Sequence, residues 1–151
     1  MVTTEQIKEL RETTGISIAE CKKALEAADG NMVKAQEALK ARGADIVAKK
    51  SDRTLAAGVV TAYIHGGNIG ALVEVHAETD FVAKNEGFRS LADDIAMQVA
   101  AMNPADLDEL LTQPFIKDPS TSIGDLVKNA VQKFGERVEV ARFTRFSTGA
   151  H

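Results

Sequence analysis

The hydrophobic period of this chain changes near Ala57, and that change limits what it can fold into. Before it, apolar residues recur at helical spacing in short segments separated by glycine. After it, β-branched and aromatic residues run together, and helical spacing returns only later. Thr4 to Thr13 carries Ile7 and Leu10 on one helical face, with Thr3 and Gln6 placed to form a capping box. Gly15 breaks the chain. Ser17 and Glu20 offer a second box ahead of Ile18, Cys21, Ala24, Leu25 and Ala28, and Gly30 fits the left-handed position that ends this helix. Asn31 caps a third helix, which carries Val33, Ala38 and Leu39 and stops near Gly43. Ala44 to Ala56 reads as a helical tail or linker. Its basic strip (Arg42, Lys49, Lys50, Arg53) is either a solvated face or a docking strip for an acidic partner.

Val59 to His65 and Ile69 to His76 read as two strands joined at Gly66-Gly67-Asn68, which predicts a hairpin. Phe88, Leu91, Ala92, Ile95, Ala96 and Val99 then mark an amphipathic helix, which Pro104 ends or redirects. Asp106 to Thr112 is expected as a short helix, and Pro114 and Pro119 are expected to bracket a loop. Ser122 to Lys133 predicts a further helix with Ile123, Leu126, Val127, Ala130 and Val131 inward. Glu136 to Phe146 predicts a third strand of imperfect alternation. Val138 and Val140 share a face while Ala141 and Phe143 fall on the other, so either a bulge intervenes or both faces are covered. The expected fold class is α+β, a three-helix bundle followed by a small antiparallel sheet packed with helices.

Composition narrows the function classes. Hydrophobic content of 44% suffices for a core, and 5% aromatic content without tryptophan points to Ala/Val/Leu packing. A net charge of -4 opposes general nucleic-acid affinity, because phosphate binding needs a basic face. The single Cys21 allows no intrachain disulfide, which fits a reducing cytosol. No run approaches the roughly 20 apolar residues that cross a bilayer, so no membrane partner and a cytoplasmic location are expected. Cys21 lies on its helix's apolar stripe as a structural thiol. His65 and His76 fall at opposite ends of the hairpin, and no metal-ligand spacing, nucleophile elbow or phosphate loop is present. We expect no catalytic residue, no metal and no cofactor.

The stretch Glu78-Thr79-Asp80-Phe81-Val82-Ala83-Lys84-Asn85 stands apart. A strand runs into a polar corner, and an aromatic follows an acid where a helix begins. An acid there is an excellent N-cap, and Phe81 read alone is a core residue or half of a hydrophobic staple. Thr79 can also supply the capping oxygen, which leaves Asp80 free to point outward. Both readings remain open on the residues alone.

Glu78 to Asn85 resembles the hallmark of the elongation factor Ts family. Arg11-Glu12-Thr13-Thr14-Gly15, followed by Cys21-Lys22-Lys23-Ala24-Leu25-Glu26-Ala27, resembles that family's N-terminal signature. Phe134-Gly135-Glu136 and Arg142-Phe143 resemble its closing strand, while Ala56-Ala57-Gly58 and His76-Ala77 depart from its usual pattern. The resemblance implies a ubiquitin-associated-like helical domain and linker over residues 1–54, and an α+β dimerisation core over 55–151. It implies a guanine nucleotide exchange factor, not an enzyme of covalent chemistry, that binds the GDP form of elongation factor Tu and promotes GDP release. Phe81 would be a wedge between partner helices, with Thr79, Asp80 and Val82 beside it disturbing the partner's Mg²⁺ site. Arg11, Glu12, Thr13, Lys22 and Lys23 would be the contacts of the N-terminal module. Long members carry a second core half beyond the closing strand. This chain resembles the short members, which implies pairing of two copies. The alternative is a helical adaptor that binds a partner without promoting exchange; a nucleic-acid module on the Arg42–Arg53 strip is opposed by the net charge.

Overall fold

The structure is a computed structural model that describes residues 1–149, the side chains of 44 and 47 excepted, so the last two residues of the expected core lie outside the described residues. Contacts divide the chain into two compact units, one of Met1–Asp52 with Lys128–Gly135, the other of Arg53–Val127 with the chain from Glu136 onward.

The helical unit follows its local signals. Helix α1 (Thr4–Thr14) starts with a closed box: the Thr3 hydroxyl accepts from Gln6 N at 3.1 Å, and the Gln6 side chain accepts from Thr3 N at 3.0 Å. It ends at Gly15, whose φ of 73° is the left-handed geometry that favours glycine. Helix α2 (Ile18–Ala27) is capped by Ser17, which accepts from Glu20 N at 3.3 Å. The Glu20 carboxylate pairs instead with Arg42 at 2.7 Å, so half of the expected second box forms. Helix α3 (Met32–Lys49) is capped by Asn31, which accepts from Lys34 N at 3.1 Å.

Two expectations fail here. The third helix does not stop near Gly43 but runs on to Lys49. A Cβ on Gly43 would meet Gln132 Oε1 at 2.7 Å, and Gln132 Nε2 donates to Leu39 O at 3.2 Å. The glycine therefore marks a close approach by the Gln132 side chain, not a helix end. Three residues of the expected stripes also fall outside the core, while Leu10, Cys21, Ala24, Leu25 and Leu39 are buried as expected. Ile18, Val33 (64% exposed) and Ala38 face outward, whereas Leu10, Ile16, Cys21, Ala24, Leu25, Ala35 and Leu39 form the core. Val33 and Ala38 are five positions apart and cannot share a narrow helical face; Ala35 and Leu39, four apart, can.

The second unit is built on a three-stranded antiparallel sheet in the order β1-β2-β5. Strands β1 (Ala57–His65) and β2 (Ile69–Ala77) form the expected hairpin, with Gly66 and Gly67 at positive φ in its turn. Strand β5 (Glu139–Ser147) pairs with the other edge of β2. Glu74 faces Arg142 while Val75 faces Val140, so Ala141 is left over as a bulge. The bulge puts Val140 and Phe143 on one face, opposite Val75 and Val73, which settles the imperfect alternation. The strand also begins three residues later than expected.

Helix α5 (Glu86–Met102) packs on that face, where its Phe88, Ala92, Ile95, Ala96 and Val99 are buried, as are Ala71, Val73, Val75 and Ala77 of β2. It ends at Asn103 in the left-handed region. The carbonyl of Ala100 would find no N–H four residues on, because Pro104 has none; Arg145 Nε donates to it at 3.0 Å. Helix α6 (Leu107–Thr112) is capped by Asp106. The expected loop after it is instead a small two-stranded sheet, β3 (Pro114–Phe115) with β4 (Asp118–Ser122). Buried Gln98 pins it, donating to Pro114 O at 3.0 Å and accepting from Ile116 N at 3.0 Å. Proline hid this ladder from sequence, yet a strand's first residue tolerates it. Helix α7 (Ile123–Phe134) matches expectation, with Ile123, Ala130 and Val131 buried. The division into units falls within it.

The α+β class thus stands as expected. The sheet's other face carries exposed Val60, Ile64, Leu72 and Phe146. Their register partners (Val60 with Glu74, Ala62 with Leu72, Ile64 with Gly70, Gly70 with Phe146) place them on one surface.

Candidate functional site

The corner after β2 is made by two helices where one was expected. Helix α4 (Asp80–Ala83) is a single turn, and α5 starts afresh after Asn85, whose side chain accepts from Gly87 N at 2.7 Å. Thr79 is the N-cap of α4. It sits in extended geometry, φ -128° and ψ 155°, and its hydroxyl accepts from Val82 N at 3.4 Å. Capping by Thr79 leaves Asp80 free: its side chain is exposed and makes no hydrogen bond or ion pair with the described residues.

Phe81 is 84% exposed, whereas Val82 and Ala83 beside it are buried. Among the described residues the ring belongs to no core and to no hydrophobic staple. Exposing a phenylalanine fully forgoes about 1.5–3 kcal/mol of burial, which is unusual on a helix anchored by its own next two residues. Val82, expected as a contact residue, is buried within this molecule. On a helix, adjacent positions point about 100° apart, so Val82 anchors the turn that presents Phe81. Thr79 is likewise engaged within the molecule, since its hydroxyl donates to Glu136 at 2.7 Å. Glu136 was legible in the sequence only as part of a motif, and its 57-residue separation from Thr79 gives no local signal.

In the helical unit, Arg11, Glu12 and Thr13 are exposed in the last turn of α1, and Lys22 and Lys23 are exposed on α2. Thr13 donates its hydroxyl to Glu9 O at 2.9 Å, and Lys22 lies 3.9 Å from Glu26. Exposed Ile18 on the same helix, 55% exposed, is an apolar surface residue that spacing alone had assigned to the core.

Elsewhere, several ionisable groups have structural partners. Burial pushes the Cys21 thiol up from its ordinary value, against a side-chain hydrogen bond with Thr14 that lowers it, so thiolate chemistry is disfavoured. His65 and His76 lie at opposite ends of the hairpin register. On the open sheet face, Arg142 at 2.8 Å and then His76 at 2.5 Å hold the Glu74 carboxyl below the ordinary glutamate value. Among the described residues there is no cluster fit to hold a metal ion, and no helix is long and apolar enough to cross a membrane.

A family profile described as Elongation factor TS matches residues 78–151, from the corner through the closing strand. The chain is 40% identical to elongation factor Ts of Alkaliphilus oremlandii over 193 residues, covering 98% of this chain and 89% of that protein. It is 42% identical to elongation factor Ts of Acetivibrio thermocellus, covering 99% and 91%. With elongation factor Ts of Thermodesulfovibrio yellowstonii it shares 38% identity, covering 98% and 96%. The first of these alignments is longer than the chain's 151 residues, so that relative carries residues with no counterpart here. Proteins of this class are translation elongation factors. The chain belongs to the elongation factor Ts family.

Proposed function

We propose that the protein is a guanine nucleotide exchange factor that binds elongation factor Tu in its GDP form and promotes GDP release. The observation that carries this reading is the ring of Phe81, exposed on a turn whose inner side is locked by Val82 and Ala83. Exchange needs no covalent step. Factor and nucleotide must weaken each other's binding by the same coupling free energy. Seating one phenylalanine in the partner supplies about 1.5–3 kcal/mol, a ten- to hundredfold loosening at about 1.4 kcal/mol per decade. A GTPase that holds GDP through Mg²⁺ needs more than that, and the uncommitted Asp80 carboxylate beside the ring is the group available to disturb the cation site. Thr79 supports the pair by capping their helix.

We propose a division of labour with residues 1–54 as the anchoring module and 55–151 as the core. Arg11, Glu12, Thr13, Lys22 and Lys23 are the anchoring contacts we propose. The open sheet face with Val60, Ile64, Leu72 and Phe146 is the surface we propose for pairing two copies, since an apolar face of this kind on a soluble factor calls for a cover. The test of the function is release of fluorescent GDP from elongation factor Tu under stopped flow. Acceleration by this protein supports exchange; complex formation with an unaltered release rate supports the adaptor and overturns it.

A further inference from the structure

Glu78 and Thr79 lie between the end of β2 and the start of α4, outside both. Regular structure supplies no acceptor for their two backbone N–H groups, and such donors need a partner from elsewhere. One side chain takes both. Glu136 Oε1 accepts from Glu78 N at 3.1 Å and from Thr79 N at 3.0 Å, while Oε2 accepts from the Thr79 hydroxyl. This last bond fixes the hydroxyl proton, so the oxygen's lone pairs are left for Val82 N, the amide it caps. The link is reciprocal: the Glu78 carboxylate accepts from Arg137 N and from Arg53 at 3.3 Å, and Arg137 donates to Arg53 O at 2.6 Å.

We infer that Glu136 is a positioning residue for Phe81, setting the direction in which the ring leaves the molecule. A helix of four residues cannot sustain itself, because its nucleation is unfavourable and it propagates too little to recover the loss. The aim of Phe81 therefore depends on outside ties. Val82 and Ala83 anchor the turn from within, and Thr79 caps its N-terminal end. Glu136 holds Thr79 at two points, its amide and its hydroxyl, and the adjacent Glu78 amide at a third, through bonds strengthened by the carboxylate's charge. The motif residue without an assigned task thus acts on exchange through two intermediates, Thr79 and the first turn of α4, and needs no contact with the partner.

This inference rests on the exchange reading, and the experiment separates the two. Maximal stimulated GDP release and the half-saturating factor concentration are measured for Glu136→Ala, Glu136→Gln, Glu136→Asp, Phe81→Ala and the Glu136→Ala/Phe81→Ala pair. Glutamine keeps the reach and one acceptor for both amides; aspartate keeps the charge but is one methylene short. The expected result is a loss of about tenfold in the maximal rate for Glu136→Ala and Glu136→Asp, a smaller loss for Glu136→Gln, and no further loss when Glu136→Ala is added to Phe81→Ala. Should Glu136→Ala fail to fold by circular dichroism, the Gln and Asp variants decide alone. A native rate for Glu136→Asp, or full additivity with Phe81→Ala, overturns the positioning role while a slowed Phe81→Ala keeps the wedge. An unaffected Phe81→Ala overturns both.

Discussion

Phe81 and Val82 are consecutive residues of one helical turn, yet the first is 84% exposed and the second 4%. The turn is therefore oriented, with an inner anchor and an outer ring. Function and stability should separate across this single peptide bond. Val82→Ala removes buried methyl groups at about 0.8 kcal/mol each plus a cavity penalty, so urea unfolding should show a loss of about 1.5–3 kcal/mol. Phe81→Ala should change stability by less than about 0.5 kcal/mol, as exposed substitutions do.

Asp80 offers a sharper distinction. Because Thr79 supplies the capping oxygen, Asp80 is not needed for that purpose. Asp80→Asn should leave the melting temperature nearly unchanged while slowing stimulated GDP release. Thr79→Ala should lose about 1 kcal/mol of stability with the cap and slow release as well, because Thr79 carries Glu136's hold to the turn that bears Phe81. Thermal melts run beside release assays check both, and an Asp80→Asn variant with native release returns Asp80 to an ordinary first-turn acid.

The open sheet face makes a prediction about assembly. Leu72 sits between Ala62 and Thr144 in the register, amid Ile64, Val60 and Phe146. A carboxylate there could not be desolvated without a partner. Light scattering on a size-exclusion column should find two copies of the native chain together and one of Leu72→Glu, with equal circular dichroism spectra. A native chain that runs as a single copy at high concentration contradicts the pairing.

Glu74 fixes the sign of one pH effect. Arg142, and next His76, lower its folded pKa below the ordinary 4.5. A depressed folded value means stability that is present above the unfolded pKa and is lost as pH falls through the folded one. The stability gap between the native chain and Glu74→Gln should therefore be constant near neutrality and shrink on acidification below 4.5. Urea titrations at successive pH values measure it, and a gap that widens in acid contradicts the assignment.

Much of the fold was legible because its signals are local. Thr3 with Gln6, Gly15, Asn31 and the Gly66–Gly67 turn act within a few residues, and each appears where its chemistry placed it. What escaped was settled at long range. Gly43 looked like a stop because glycine ends helices, but its neighbour is Gln132. The β3–β4 ladder was masked by proline and is held by Gln98, sixteen residues before Pro114. The corner divided the same way. Thr79 as a cap could be read from the residues, and Asp80's freedom followed conditionally. Nothing local said that Phe81 would be exposed and Val82 buried, because a turn this short has no period to read. Glu136's hold on Thr79 lay beyond any sequence window.

The central claim is that the ring of Phe81 does the prying. Stopped-flow release of fluorescent GDP from elongation factor Tu, at saturating concentrations of native chain and of Phe81→Ala, measures it directly. The account predicts that the variant folds, still binds and stimulates release ten- to a hundredfold less, roughly the worth of one buried phenylalanine. Equal stimulation by the two proteins would contradict it.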